Sequence, residues 1–159
     1  MNKKKILEHL IDTLNTELTK SKEAYETAKN LTQEPDFKAE SKWDTRSIEA
    51  GYLAGAQKKR VDELEMDVKM IEELCEESHK KKKTIGIGSL VDIEFNGQTR
   101  KYFIAPTAGG TMVNIDGEIA LVISVFSPIG NGVLDLVEGD SFEVEMKGGN
   151  REYEVIAFE

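Results

Sequence analysis

Residues 1 to 34 contain neither glycine nor proline, and their apolar side chains return every three or four positions. Leu7, Leu10, Leu14, Leu18, Ser21, Tyr25, Ala28 and Leu31 fall on one stripe of a single long helix, with Ile6 beside them. A second run repeats the device: Val61, Leu64, Val68, Ile71, Cys75 and Ser78 step 3, 4, 3, 4, 3, the a/d pattern of a coiled coil. Leu53, Ala54 and Ala56 extend it upstream, where Gly51 and Gly55 each weaken a helix by about 1 kcal/mol relative to alanine. Two helices of about 30 residues, each roughly 45 Å long, cannot leave such stripes in water. Only about ten residues separate them, so an antiparallel hairpin is expected, each helix covering the other.

From Leu90 the period changes to two. "LVDIEF" sets Val91, Ile93 and Phe95 on one face, Asn96-Gly97 signals a hairpin, and "TRKYFIAP" returns as a strand that ends before Pro106. "GEIALVISVF" is more continuously apolar and is expected to be central, while "DSFEVEMKGGNREYEVIAF" reads as two strands around Gly148-Gly149. Between them, "SPIGNGVLDLVEGD" predicts a short helix with Ser127 as N-cap, Pro128 at the first helical position, and Ile129, Val133 and Leu136 on one face. The fold class is α+β: a helical hairpin followed by an antiparallel sheet bent around one short helix. "HKKKKTIGIGS" links the two, with Lys80 to Lys83 opposing a helix dipole and Gly86 and Gly88 breaking the helical pattern. The expected division is residues 1–80 for the hairpin, with its tip near 33–46, then 81–88 as linker and 89–159 as the second domain.

Composition agrees with two parts, because 39% apolar and 32% charged residues make a thin supply for one large core. Residues 1 to 83 hold 17 basic and 18 acidic side chains, whereas residues 84 to 159 hold 4 and 12. The acidic half is a poor binder of phosphate backbones, and its charge suits either solubility or a basic protein surface. Cys75 falls on an apolar helical position and reads as core. No stretch approaches a membrane span and no secretory signal opens the chain, so a cytoplasmic setting without membrane contact is expected. The second half holds no histidine or cysteine and no phosphate-cradling glycine loop before a helix, hence no catalytic constellation of its own.

Between the helices lies "PDFKAESKWDTR", with Asp36, Glu40 and Asp44 interleaved with Lys38, Lys42 and Arg46, and the chain's one tryptophan, Trp43. Ser41 and Asp44 have the spacing of a capping box, so Asp44 can serve a helix start as well as a metal. Trp43 can close the end of the hairpin core or stack on a base.

A long N-terminal hairpin followed by a small α+β domain resembles the bacterial Gre transcript-cleavage factors. The most specific match is "SPIGNGVLDLVEGDSFEVEMKGGNREYEVIAFE", residues 127 to 159; "GSLVDIEF" and "RKYFI" fit the same domain more loosely. The resemblance implies an FKBP-like second domain and a monomeric factor that binds RNA polymerase. It also implies that the hairpin enters the secondary channel, so that the tip approaches only the 3′ end of the nascent RNA. There the tip carboxylates would help hold a Mg²⁺ shared with the polymerase, not tightly bound by the separate factor, and promote cleavage of backtracked RNA. Mg²⁺ suits that arrangement, since it is often held by one or two protein carboxylates and retained waters. Such a protein is a cofactor of the polymerase's own activity, not an enzyme alone.

Glu40 and Asp44 are the first candidates, as catalytic and metal-holding residues, and Asp36 is the third. The family carries Asp-x-x-Glu followed by Asn-Ala-Glu-Tyr, whereas here the spacings run Asp36 to Glu40 and Glu40 to Asp44. Ser127, Pro128 and Ile129 are the expected polymerase-docking residues. A factor of the same shape with a changed tip would instead inhibit the polymerase. Two other classes stay open: a peptidyl-prolyl isomerase, which requires an aromatic-lined pocket, and a coiled-coil adaptor with no role at any active site.

Overall fold

The computed structural model describes residues 1–33, 45–77 and 82–159 of the chain. Helix α1 spans Lys3–Gln33 and helix α2 spans Arg46–Glu77. Together they form a helical hairpin, in which Met1–Ile11 belongs to one compact unit with Met70–Glu159, and Asp12–Lys69 forms the other.

The expected stripe of α1 is the one that is shielded: Ile6, Leu7, Leu10, Leu14 and Ala28 are buried, and Leu18, Ser21, Tyr25 and Leu31 half-buried. On α2, Val61, Leu64, Val68 and Ile71 are buried and Cys75 is half-buried, as the a/d spacing requires. Upstream the expectation needs correction. Ala50 is buried and Ala54 and Gln57 half-buried, while Leu53 and Ala56 face water. Stepping back from Val61 by 4, 3 and 4 reaches Gln57, Ala54 and Ala50, so the helical period overrides the larger apolar side chain at 53. Ion pairs brace the distal unit across the helices: Arg60 Nη2 lies 3.1 Å from Glu17 Oε2, and Lys22 Nζ 2.9 Å from Glu65 Oε1.

The remaining chain builds a six-stranded sheet: β1 (Leu90–Phe95), β2 (Gln98–Ala105), β3 (Met112–Ile115), β4 (Glu118–Ser124), then helix α3 (Pro128–Val133), β5 (Ser141–Met146) and β6 (Gly149–Phe158). The strand order is β3-β4-β2-β1-β6-β5. Neighbours are antiparallel except β2 and β4, which run parallel, with Tyr102 opposite Leu121 and Phe103 opposite Val122. The sheet is therefore mixed, and β4 lies next to the edge strand β3 instead of at the centre, which β2 and β1 occupy. Strand β3 was not expected; it is closed onto β4 by Asp116-Gly117, whose φ angles of 53° and 89° make the same left-handed pair as the 51° and 74° of Asn96-Gly97. At the last hairpin Met146 pairs with Gly149, so the turn is Lys147-Gly148, one residue before the Gly-Gly pair.

Each face of the sheet has its own cover. Val91, Ile93, Tyr102, Ile104, Ile123, Val144, Tyr153 and Val155 join Val133 of α3 in one core, with Ile129 and Leu136 packed against it. Leu136 does so from beyond the helix, which ends at Val133. Ile85, from the connecting stretch, is buried in this core and exchanges backbone hydrogen bonds with Asp135 and Leu136 at 2.9 Å. Register places Leu90, Phe103, Ala120 and Val122 on the opposite face, where they are also buried. On that unit's helical side, Gly88 adopts φ +84°, and a Cβ there would sit 2.8 Å from Leu74 Cδ1. Lys5 Nζ reaches Asp116 Oδ2 at 2.7 Å, and the amino group of Met1 lies 3.3 Å from Glu118.

Candidate functional site

Asp36, Glu40, Asp44 and Trp43 lie outside the described residues, as does the expected capping box at Ser41 and Asp44. The described elements nearest to them in sequence are α1, which closes at Gln33, and α2, which opens at Arg46. Thr45 precedes α2, its carbonyl accepting from Glu49 N at 2.9 Å. Just inside that end, Ile48, Tyr52 and Leu53 are apolar and exposed, Tyr52 at 77%. Among the described residues no cluster of three histidine, cysteine or acidic side chains could hold a metal ion.

The turn from β4 into α3 holds the other expected site residues. Ser127 caps the helix as predicted: its Oγ accepts from Gly130 N at 3.0 Å and donates to the Ser124 carbonyl at 2.7 Å. Ser124 Oγ in turn accepts from Phe126 N at 3.2 Å. The same carbonyl excludes any larger residue at 130, because a Cβ on Gly130 would run into Ser124 O. Gly132 is similarly confined, 2.7 Å separating its would-be Cβ from Phe142 Cδ2. These contacts tie the start of α3 to the end of β4, and the three expected docking residues differ in what they touch. Ser127 spends its hydroxyl on the cap, and Ile129 packs against the core. Pro128 is exposed, and so is Phe126, at 86%.

Phe126 closes the apolar run "GEIALVISVF" yet is exposed, because the chain has already left β4 at Ser124. The aromatics of the described strands follow their strand faces. Phe95 and Phe142 flank Tyr153 with ring centroids 5.0 and 5.4 Å away, and Arg151 covers Phe95 at 5.3 Å. The cavity beside them, about 470 Å³, is lined by Glu94, Glu152 and Glu154 as well as rings, unlike the aromatic-lined pocket an isomerase requires.

Residues 80–159 match the family model described as transcription elongation factor, GreA/GreB, C-terminal. The chain belongs to the GreA/GreB family. The match includes residues 127–159, where the resemblance is most specific, and the more loosely fitting strands at 88–95 and 100–104. Among solved structures, Gfh1 of Thermus aquaticus is 22% identical over 94% of this chain and 93% of its own, with a TM-score of 0.39. GreA factor homolog 1 (Gfh1) of Thermus thermophilus is 22% identical over 94% of both chains, at 0.37. A GreA/GreB factor from Nitrosomonas europaea is 19% identical over 55% of this chain and 77% of its own, at 0.36. No curated protein matches the sequence. None of the described helices is long and apolar enough to cross a membrane.

Proposed function

We propose that this GreA/GreB family member binds RNA polymerase, inserts its hairpin into the secondary channel and promotes cleavage of backtracked RNA. The observation that carries this reading is the family match over residues 80–159, on a chain whose preceding residues form a helical hairpin. The segment between the helices holds three carboxylates, Asp36, Glu40 and Asp44. Such a donor set fits Mg²⁺, which takes oxygen ligands and often uses only one or two carboxylates from a protein. When bound there together with polymerase residues, the ion would supply electrostatic activation of a water. Glu40 and Asp44 would hold and orient it, with Asp36 as the third candidate, and the polymerase would supply the rest of the chemistry. Docking is assigned to the turn at Ser127, Pro128 and Ile129, with Ser127 and Ile129 shaping it from within.

A second reading is a channel-binding inhibitor. It is favoured by the four-residue spacings of Asp36, Glu40 and Asp44, which depart from the Asp-x-x-Glu of the cleavage factors. Transcript cleavage in backtracked elongation complexes, measured beside polymerase binding, separates the two. Under the cleavage reading, wild type accelerates Mg²⁺-dependent cleavage, and Glu40→Ala and Asp44→Ala each lower the rate about tenfold or more while still binding. Wild type that binds but adds no cleavage decides for inhibition.

A further inference from the structure

The sequence holds three pairs in which glycine follows asparagine or aspartate: Asn96-Gly97, Asp116-Gly117 and Asn131-Gly132. Each sets a glycine backbone nitrogen next to a side-chain carbonyl carbon. Attack of that nitrogen on that carbon closes a succinimide ring, and glycine, with no side chain, hinders the approach least. The reaction needs an electrophilic side chain, a nitrogen not engaged elsewhere and a backbone free to turn. The fold distributes these unequally among the pairs.

Two of them are held. Asp116 is an ionised carboxylate 2.7 Å from Lys5 Nζ, which makes it a poor electrophile, and Gly117 N already donates to Asn114 Oδ1 at 3.2 Å. Gly132 lies inside α3, pressed so closely on the sheet that a Cβ there would sit 2.7 Å from Phe142 Cδ2, and Asn131 N donates to the Ser127 carbonyl at 2.8 Å. Its nitrogen cannot swing toward the Asn131 side chain until the helix opens. Asn96-Gly97 differs on every count. It closes the hairpin of β1 and β2 between Phe95 and Gln98, with both residues exposed. Among the described residues nothing accepts from Gly97 N, and nothing bonds the Asn96 amide. A Cβ on Gly97 would meet nothing within 4 Å, so the turn can rotate into the attacking geometry without displacing a neighbour. Local opening of such an exposed turn costs little.

We infer that Asn96 is a site of spontaneous covalent modification. Gly97 N bonds to Asn96 Cγ, its proton passes to the side-chain nitrogen, and that nitrogen leaves as ammonia. Water then opens the ring at either carbonyl, giving aspartate or isoaspartate; one ammonia departs, one water enters, and nothing is oxidised or reduced. Either product adds a negative charge to the cavity that Asn96 lines with Glu94, Glu152 and Glu154. Only isoaspartate alters the main chain, which then runs through the side-chain carbon and gains a methylene. Aspartate before glycine still suits a left-handed two-residue turn, whereas the longer isoaspartyl backbone misfits the register of β1 and β2, the two central strands. The isoaspartyl form also carries a free α-carboxylate, the group that a protein carboxyl methyltransferase accepts as substrate.

The test is peptide mapping of the full-length protein after incubation in mildly alkaline, heavy-oxygen water, native and in urea, with isoaspartate counted by methyl transfer from an isoaspartyl carboxyl methyltransferase. In native protein the Asn96 peptide should take up label at least about tenfold faster than the Asn131 or the Asp116 peptide. In urea Asn131 should come within about threefold of Asn96, because the helix no longer holds it. Isoaspartyl protein, separated by ion exchange, should melt below wild type, and Asn96→Asp, with the same charge on an ordinary backbone, close to wild type. Asn96 that stays an amide in native protein, or native labelling of Asn96 and Asn131 within about twofold of each other, would overturn the assignment. Asn96→Asp melting as low as the isoaspartyl form would place the damage in the charge and overturn the role given to the backbone.

Discussion

Gly130 and Ser127 sit three residues apart, yet only one of them announces its role. A serine before proline at the head of an apolar run is a readable helix start. The confinement of Gly130 comes from the Ser124 carbonyl, at the end of another element, and no local pattern carries that information. Replacing Ser127 by alanine should cost about 1 kcal/mol, the usual worth of an N-cap. Gly130→Ala should cost about 1 to 3 kcal/mol, because a methyl group must displace backbone. Urea melts of both variants check the order. Lys82 makes a different residue-scale case. Burial lowers its pKa, the Lys3 charge adds to the effect and Glu77 opposes it, while its Nζ donates to the Ile87 carbonyl. A folded pKa below the unfolded 10.5 means the unfolded chain binds more protons in that alkaline interval. Stability should therefore climb as pH rises through the lowered pKa toward 10.5, and Lys82→Gln should lose that climb in melts at stepped pH.

At the scale of elements, legibility tracks how strictly a period is kept. The α2 stripe could be read from Val61 to Cys75, where apolar residues obey the 3, 4 step. It failed at Leu53, because the true seam runs through the small or polar Ala50, Ala54 and Gln57. Stability should expose the difference. Leu64 is fully buried, and Leu64→Ala should cost about 2 to 5 kcal/mol. Leu53 is half exposed, and Leu53→Ala should stay within about 0.5 kcal/mol; a cost comparable to that of Leu64→Ala would place Leu53 in the seam after all. Strand β3 was missed for another reason: four residues are too few to show alternation, and its one strong signal was the Asp116-Gly117 turn. The parallel pairing of β2 with β4 is a long-range choice that neither strand's pattern encodes. Of the candidate site, the cap at Ser127 was legible, whereas the exposure of Phe126 depends on where β4 ends.

For the whole molecule, the division that the sequence suggests at the basic linker differs from the compact units of the structure. Residues 1–11 and 70–77 join the sheet in one unit, and the sheet's second face explains why they should. Leu90, Phe103, Ala120 and Val122 are buried on the side away from α3, so helix cannot be removed from that side without exposing them. The helical residues of the same unit supply matching apolar groups, since Ile6, Leu7, Leu10, Ile71 and Leu74 are all buried. A fragment of residues 82–159 would retain the six strands and α3 and lose that cover. Phe103 alone, fully buried in the intact chain, would bring a large apolar surface into water. With a net charge of −6 the fragment would stay soluble, so the exposed face can be measured directly. It should bind a hydrophobic dye that the full chain does not, and it should melt earlier and less cooperatively. A chain with residues 12–69 replaced by a short turn should restore both properties, because it returns the helix ends and omits only the distal unit. Equal melting and no dye binding by the 82–159 fragment would mean that the sheet covers its second face unaided.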